Sequence, residues 1–125
     1  MMSDTTEMVA GRELDALVAE RVMGWTGIER HIRGGIAMPP WPSGLDPVTS
    51  AYRTIPRYST SIADAWLVVE RMREKGYSLT LMAPFGDFGA VAAFVPRTGQ
   101  RFDGDGDTPA VAISRAALSA MEAHR

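Results

Sequence analysis

The chain has 125 residues, the length of one domain that can bury a substantial core. Hydrophobic residues make up 46% and charged residues 22% of the sequence, which excludes wholesale disorder. The absence of cysteine excludes disulfides and thiolate chemistry, and the net charge of −2 argues against general nucleic-acid binding.

The first predicted element is a helix over about residues 5–23, in which Leu14, Leu17, Val18 and Val22 recur at helical spacing. Gly24 is a typical helix stop. The preceding stretch "MMSDTTEM" is polar and acidic, unlike a secretory signal peptide, and no apolar run of the chain is long enough to span a membrane. We therefore expect a cytoplasmic protein without a membrane partner.

A long proline-rich loop is predicted next, over about residues 25–57, although short strands within it are not excluded. Its centre, "IAMPPWPSGLDP" at 36–47, holds Trp41 on a stiff segment, because proline fixes φ and lacks a backbone donor. Trp41 then either packs against the core or serves a recognition loop. Residues 26–60 carry four arginines against two carboxylates, a local excess of positive charge.

The second helix is predicted over about 60–75, where Ser61 and Asp64 resemble a capping box and Gly76 ends the helix. The stretches "YSLTLMAP" and "FGAVAAFVP" then predict a β-hairpin over about 77–96. Its second strand is apolar on both faces, which predicts a covering layer on each side.

A third helix is predicted over about 108–123, with Thr108 as its cap and Pro109 at its first position. Together these elements predict an α+β fold in one domain over 1–125, an α-β-α sandwich of three helices around a small, largely antiparallel sheet. The residues expected in its core are Trp66, Val69, Leu79, Leu81, Phe94 and Ile113.

No stretch of the sequence has the residue spacing that a catalytic or metal-binding motif requires. The stretch "DGDGDT" at 103–108 resembles the start of a calcium loop, but Thr108 and Ser114 stand where glycine and glutamate are required. His31 and His124 are the only histidines, too few for a zinc site and badly placed for a triad. We therefore expect no catalytic residue, metal or cofactor, and a protein that is not an enzyme.

The pattern that favours binding combines aromatic and arginine side chains. Aromatic faces stack on planar bases, arginine engages phosphate, and the start of the second helix offers unpaired N–H groups. The alternative is that the aromatic residues belong to the core and the arginines to the solvated surface. The predicted ligand-binding residues are Trp25, Trp41, Arg53, Arg57, Tyr58, Ser59 and Thr60.

The stretches "LVAERVMGW", "PRYSTSIADAWLVVERM" and "DTPAVAISRAAL" together resemble the phage ABA sandwich domain family. The likeness extends over nearly the whole chain outside residues 26–53. Its most specific part is Tyr58-Ser59-Thr60 followed by Ile62, Ala65 and Trp66. The resemblance implies an α-β-α sandwich and a phage protein that acts in the host cytoplasm, but it implies no particular activity.

Some small phage proteins sequester the nucleotide signals of host defence systems such as Thoeris or CBASS, and the analogy suggests the same role here. The expected partner is accordingly a small anionic ligand, a nucleotide signal bound and not turned over, with no nucleic-acid partner. The alternative is a protein-interaction or virion-associated structural module without a small ligand. We also expect a homo-oligomer, because so small a sheet leaves open edges and symmetric dimers are common.

Overall fold

The computed structural model describes residues 11–29, 43–82 and 89–123, and every structural statement below concerns these residues. Within them the chain forms three α-helices, α1 (Arg12–Val18), α2 (Ile62–Glu74) and α3 (Pro109–Ala123), and two antiparallel three-stranded sheets. This is the α+β arrangement that the sequence predicted. Trp41, the first residues of the predicted 5–23 helix and the turn of the predicted hairpin lie outside the described residues.

The first helix ends where the sequence predicted, but its last part is not α-helical. After α1 the chain continues as a π-helical turn over Ala19–Met23. Gly24 then adopts a left-handed conformation with φ of 86°, which glycine tolerates without a steric penalty. Trp25 therefore follows directly after the end of the π-helical turn and its Gly24 cap.

The segment predicted as a long loop contains a small sheet. Its strands are β1 (Thr26–Glu29), β2 (Ser43–Leu45) and β3 (Tyr52–Thr54), in the order β1-β2-β3. Gly44 lies at its centre, where a β-carbon would be 3.1 Å from both Thr26 O and Ile28 Cγ1. The short strands that the sequence left open within 25–57 are therefore present, and they are too short to show a clear alternation.

The larger sheet contains the predicted hairpin and one strand more. Its strands are β4 (Tyr77–Met82), β5 (Ala90–Pro96) and β6 (Phe102–Gly106), in the order β4-β5-β6. The β6 segment pairs antiparallel with β5. Asp103 and Asp105 are exposed on this strand, and the glycine between them, Gly104, is buried.

Helices α2 and α3 pack against one face of this sheet, and α1 packs in turn against α3. On the other face Met82 is 60% and Val91 37% exposed, whereas Ala93, which pairs with Thr80 and Asp103, is buried. Alternation along β5 is weak because its outward positions, Val91, Ala93 and Val95, are apolar as well.

The core contains Val69, Phe94 and Ile113, as predicted, and Leu79 packs partly buried against it. Two predicted core residues are exposed: Trp66 (47%) and Leu81 (38%). Trp66 is exposed because of its angular position on α2. The buried face of α2 is formed by Ala65, Val68, Val69 and Met72. Trp66 lies one position round from Ala65 and points away from that face.

Candidate functional site

A cleft of about 510 Å³ lies between the end of the π-helical turn, the connection from β2 to β3, and α2. Most of its wall is apolar and comes from all three of these parts. The apolar lining residues are Met23, Trp25, Pro47, Val48, Pro56, Tyr58 and Leu67. The cleft brings together three of the residues that the sequence predicted for ligand binding: Trp25, Arg53 and Tyr58.

Trp25 and Tyr58 form one wall of the cleft and are hydrogen-bonded to each other. Both are nearly buried, and the indole N–H of Trp25 donates to the hydroxyl of Tyr58. Burial raises the pKa of the Tyr58 phenol far above its usual value, so the phenol is neutral throughout the physiological range. The pair therefore offers a rigid, uncharged aromatic wall.

An ion pair between Arg53 and Asp46 stands at the rim. Arg53 Nη1 donates to Asp46 Oδ2 at 2.6 Å, and the backbone N–H of Val48 donates to Asp46 Oδ1 at 2.8 Å. The Val48 N–H and, less strongly, Arg53 hold the pKa of Asp46 below its usual value against the opposing effect of burial. Asp46 is buried, whereas the Arg53 side chain is 51% exposed. The buried carboxylate thus orients a cation that remains accessible.

Arg71 is a lining residue that sequence reasoning missed. Its Nε donates to the carbonyl oxygen of Val22 at 3.3 Å, and its Nη1 lies 3.4 Å from Glu74 Oε1. The first bond ties α2 to the end of the π-helical turn. The only sequence signal was the spacing: Arg71 follows Leu67 by one helical turn, on the side of α2 that turns away from the core.

The charged lining residues are two arginines, Arg53 and Arg71, and three carboxylates, Asp46, Glu70 and Glu74. Two of those carboxylates, Glu70 and Glu74, lie on α2, whereas Arg53 lies on β3. A ligand that fits this charge pattern places an anionic group at Arg53 and an apolar or aromatic part against Trp25, Val48 and Leu67. The described lining residues include no nucleophile paired with a base.

The other predicted residues lie elsewhere. Arg57 and Thr60 are exposed and are not among the lining residues; the Arg57 backbone N–H donates to Asp64 Oδ2 at 2.9 Å. Ser59 is fully buried, its N–H donates to Asp15 Oδ1 at 2.7 Å, and its hydroxyl accepts from the N–H of Gly11 at 2.9 Å. Its expected role in holding phosphate is therefore wrong, because both groups are used inside the protein.

The start of α2 is also occupied. Its N-cap is Ser61, whose hydroxyl accepts from the Asp64 N–H at 3.3 Å, as the capping-box pattern predicted. The Asp64 carboxylate adds a negative charge to the first turn. A phosphate at this helix end would meet that charge, so the accessible cation at the rim, Arg53, is the better anion contact.

Metal ligands and membrane spans can be assessed over residues 11–29, 43–82 and 89–123. No group of three or more histidine or acidic side chains is placed to hold a metal ion. None of the described helices combines the length and the apolar character that a membrane span requires.

Comparison with known proteins agrees with the architecture. The fold is similar to the crystal structure of a phage protein from Bacillus cereus ATCC 14579, with a TM-score of 0.64 and 19% sequence identity over 95% of this chain and 97% of that one. No curated protein sequence matches the chain significantly. The family model of the phage ABA sandwich domain matches residues 16–118. The chain therefore belongs to the phage ABA sandwich domain family.

Proposed function

We propose that this is a phage-encoded, non-enzymatic binding protein that holds a small anionic ligand in the cleft. The ligand we propose is a nucleotide signal of host defence, of the Thoeris or CBASS type, sequestered in the host cytoplasm and not turned over. The observation that carries the proposal is the half-exposed guanidinium of Arg53, oriented by buried Asp46, at the rim of a cleft walled by Trp25 and Tyr58.

The size and lining of the cleft support a small molecule. Small-molecule pockets commonly measure about 300–1,000 Å³ and are mainly apolar with a few placed polar groups. The cleft, at about 510 Å³, has an apolar wall and charged groups at its edges. A nucleobase would lie against the apolar wall, and a phosphate would meet the cation at the rim.

Arg53 is suited to the phosphate because its guanidinium has five N–H donors and only Nη1 donates to Asp46. A phosphate oxygen can accept from the remaining donors while the ion pair keeps the guanidinium in place. Glu70 and Glu74 on α2 repel negative charge, although Arg71 pairs with Glu74 at 3.4 Å. They favour a ligand whose phosphates are grouped at its Arg53 end.

Calorimetry against a panel of cyclic dinucleotides and ADP-ribose-type nucleotides tests the proposal. We expect one class to bind, and Arg53→Ala to weaken its binding by about 1.5–3 kcal/mol, the usual contribution of a charged hydrogen bond. Arg101→Ala is the matched control, because Arg101 also pairs with an aspartate, Asp103, at 2.9 Å but does not line the cleft. Equal effects of both substitutions would contradict the site.

Recovery of the bound nucleotide after heat denaturation separates binding from catalysis. A binding protein returns the nucleotide unchanged, whereas altered nucleotide would show an enzyme. Absence of heat with every member of the panel would overturn nucleotide binding.

The second candidate is a protein-interaction or virion-associated module. It is favoured by the exposed apolar side chains of α2: Ile62 (52%), Trp66 (47%) and Leu67 (46%). Mass spectrometry of purified virions tests it, since a virion-associated module is retained in stoichiometric amount and a cytoplasmic sponge is not.

A further inference from the structure

Three buried polar residues take no part in the ligand contacts proposed above: Asp15 on α1, Ser59 after the cleft residue Tyr58, and Ser114 on α3. Asp15 is 5% exposed, and the two serines are fully buried. Burying a polar group is costly unless it is hydrogen-bonded. Their hydrogen bonds show what the three residues hold in place.

Two of these hydrogen bonds grip a single peptide unit, the one that joins Tyr58 to Ser59. Its carbonyl oxygen, on Tyr58, accepts from Ser114 Oγ at 3.2 Å. Its N–H, on Ser59, donates to Asp15 Oδ1 at 2.7 Å. Because the peptide unit is planar, fixing both ends fixes the orientation of the backbone at Tyr58.

The side chain that leaves this backbone is part of the cleft. The Tyr58 ring lines the cleft, and its hydroxyl accepts from the Trp25 indole. We propose that Asp15 and Ser114 are positioning residues. They fix the Tyr58–Ser59 peptide at its N–H and its carbonyl oxygen, and so set the position of the Tyr58–Trp25 wall of the ligand cleft. The consequence for binding rests on the proposed function; the consequence for the wall does not.

The arrangement makes the wall sensitive to the charge of Asp15. The charged groups facing this carboxylate are Asp64 of α2 and Arg57 of the preceding turn. Burial, with a smaller contribution from Asp64, raises the pKa of Asp15, although the Ser59 bonds and Arg57 oppose the rise. Protonation of Asp15 replaces its charge-assisted hydrogen bond to the Ser59 N–H by a weaker neutral one. The loosened Tyr58–Ser59 peptide then alters the position of Tyr58 and, through it, the environment of Trp25.

Trp25 fluorescence tests the wall without any ligand. The chain has three tryptophans, so Trp41→Phe with Trp66→Phe leaves Trp25 as the sole emitter. In this background we expect Trp25 emission to shift with pH in one step, at a pH above the usual carboxyl value. Asp15→Asn should abolish the step, because the amide keeps an oxygen for the Ser59 N–H but does not titrate there.

Acrylamide quenching of Trp25 measures how firmly the wall is held. Ser114→Ala and Asp15→Ala should increase quenching, and Asp15→Asn should restore most of the protection. Ser119→Ala is the matched control, a partly buried serine on the same helix. Far-UV circular dichroism establishes that each variant is folded; if Asp15→Ala is not, Ser114→Ala and Asp15→Asn decide the result.

Ligand affinity tests the consequence for binding separately from the ligand-free fluorescence measurements. For whichever nucleotide of the calorimetric panel binds, Ser114→Ala should weaken binding about fivefold, the effect of one lost hydrogen bond, while Ser119→Ala leaves it unchanged. Unchanged Trp25 emission and quenching in folded Ser114→Ala, with no pH step in the parent, would overturn the positioning role. A panel without any binder overturns the proposed function but leaves the fluorescence result standing.

Discussion

Replacing Gly104 by alanine tests a close contact between β6 and α3. A β-carbon on Gly104 would lie 2.7 Å from Ala112 O and 2.9 Å from Ala116 Cα, and it would overlap the backbone nitrogen of Ala116. All three atoms belong to the helix backbone, so no side-chain rotation relieves the overlap. The helix α3 must move away from the sheet.

We expect Gly104→Ala to lower the free energy of unfolding by about 3 kcal/mol, the upper part of the range for overpacked cores. The midpoint of thermal unfolding should fall by roughly 12 °C, at about 4 °C per kcal/mol for a domain of this size. Urea unfolding followed by circular dichroism measures both the free energy and any change in its slope.

Two control variants make the result specific. Asp105→Ala changes the next, exposed residue of the same strand and should alter stability by no more than about 0.5 kcal/mol. Ala116→Gly should not rescue Gly104→Ala, because the overlapping atoms of residue 116 are its N and Cα, which glycine retains. A loss below about 1 kcal/mol in Gly104→Ala, or rescue by Ala116→Gly, would refute this account of the β6–α3 contact.

The other predictions concern the core, acid stability and assembly. Phe94→Ala, at a fully buried position, should cost about 3–5 kcal/mol in urea unfolding, and Trp66→Ala less than half as much; an equal loss would contradict the exposure of Trp66. Because the pKa of Asp46 is lowered in the folded protein, its hydrogen bond from the Val48 N–H and its ion pair with Arg53 stabilise the fold above the usual carboxyl pKa, and this contribution is lost progressively as pH falls below about 5. Unfolding curves measured across that range should show a shallower acid loss in Asp46→Asn than in the parent, and an unchanged slope would refute the assignment. Light scattering at micromolar concentration should show a dimer, since symmetric dimers are the commonest oligomers; a monomer would contradict self-association.

The helices of the C-terminal half and the hairpin could be predicted because their signals are local. Ser61 accepts from the Asp64 N–H and Thr108 from the Val111 N–H, the two caps expected from residue type and spacing. Hydrophobic periodicity sets the approximate bounds of these elements. A one-residue error in helical phase was nevertheless enough to place Trp66 in the core.

The strand β6 could not be predicted, because "FDGDG" has the composition of a turn. Its aspartates are exposed, and Gly104 faces α3 too closely for any β-carbon. Only the packing of α3 on the sheet gives these glycines their role. Until that contact forms, nothing in the segment distinguishes a strand from a loop.

Residue type was sufficient to select Trp25, Arg53 and Tyr58, which line one cleft, since aromatic rings and arginine are suited to contacts with a ligand. It was not sufficient for Ser59, which lies next to Tyr58 in sequence but faces the interior. Ser59 faces the interior because its N–H donates inside the core to Asp15, which lies 44 residues earlier in the sequence. A sequence determines which groups can bond; the fold decides which have already done so, because a buried donor must find its partner within the protein.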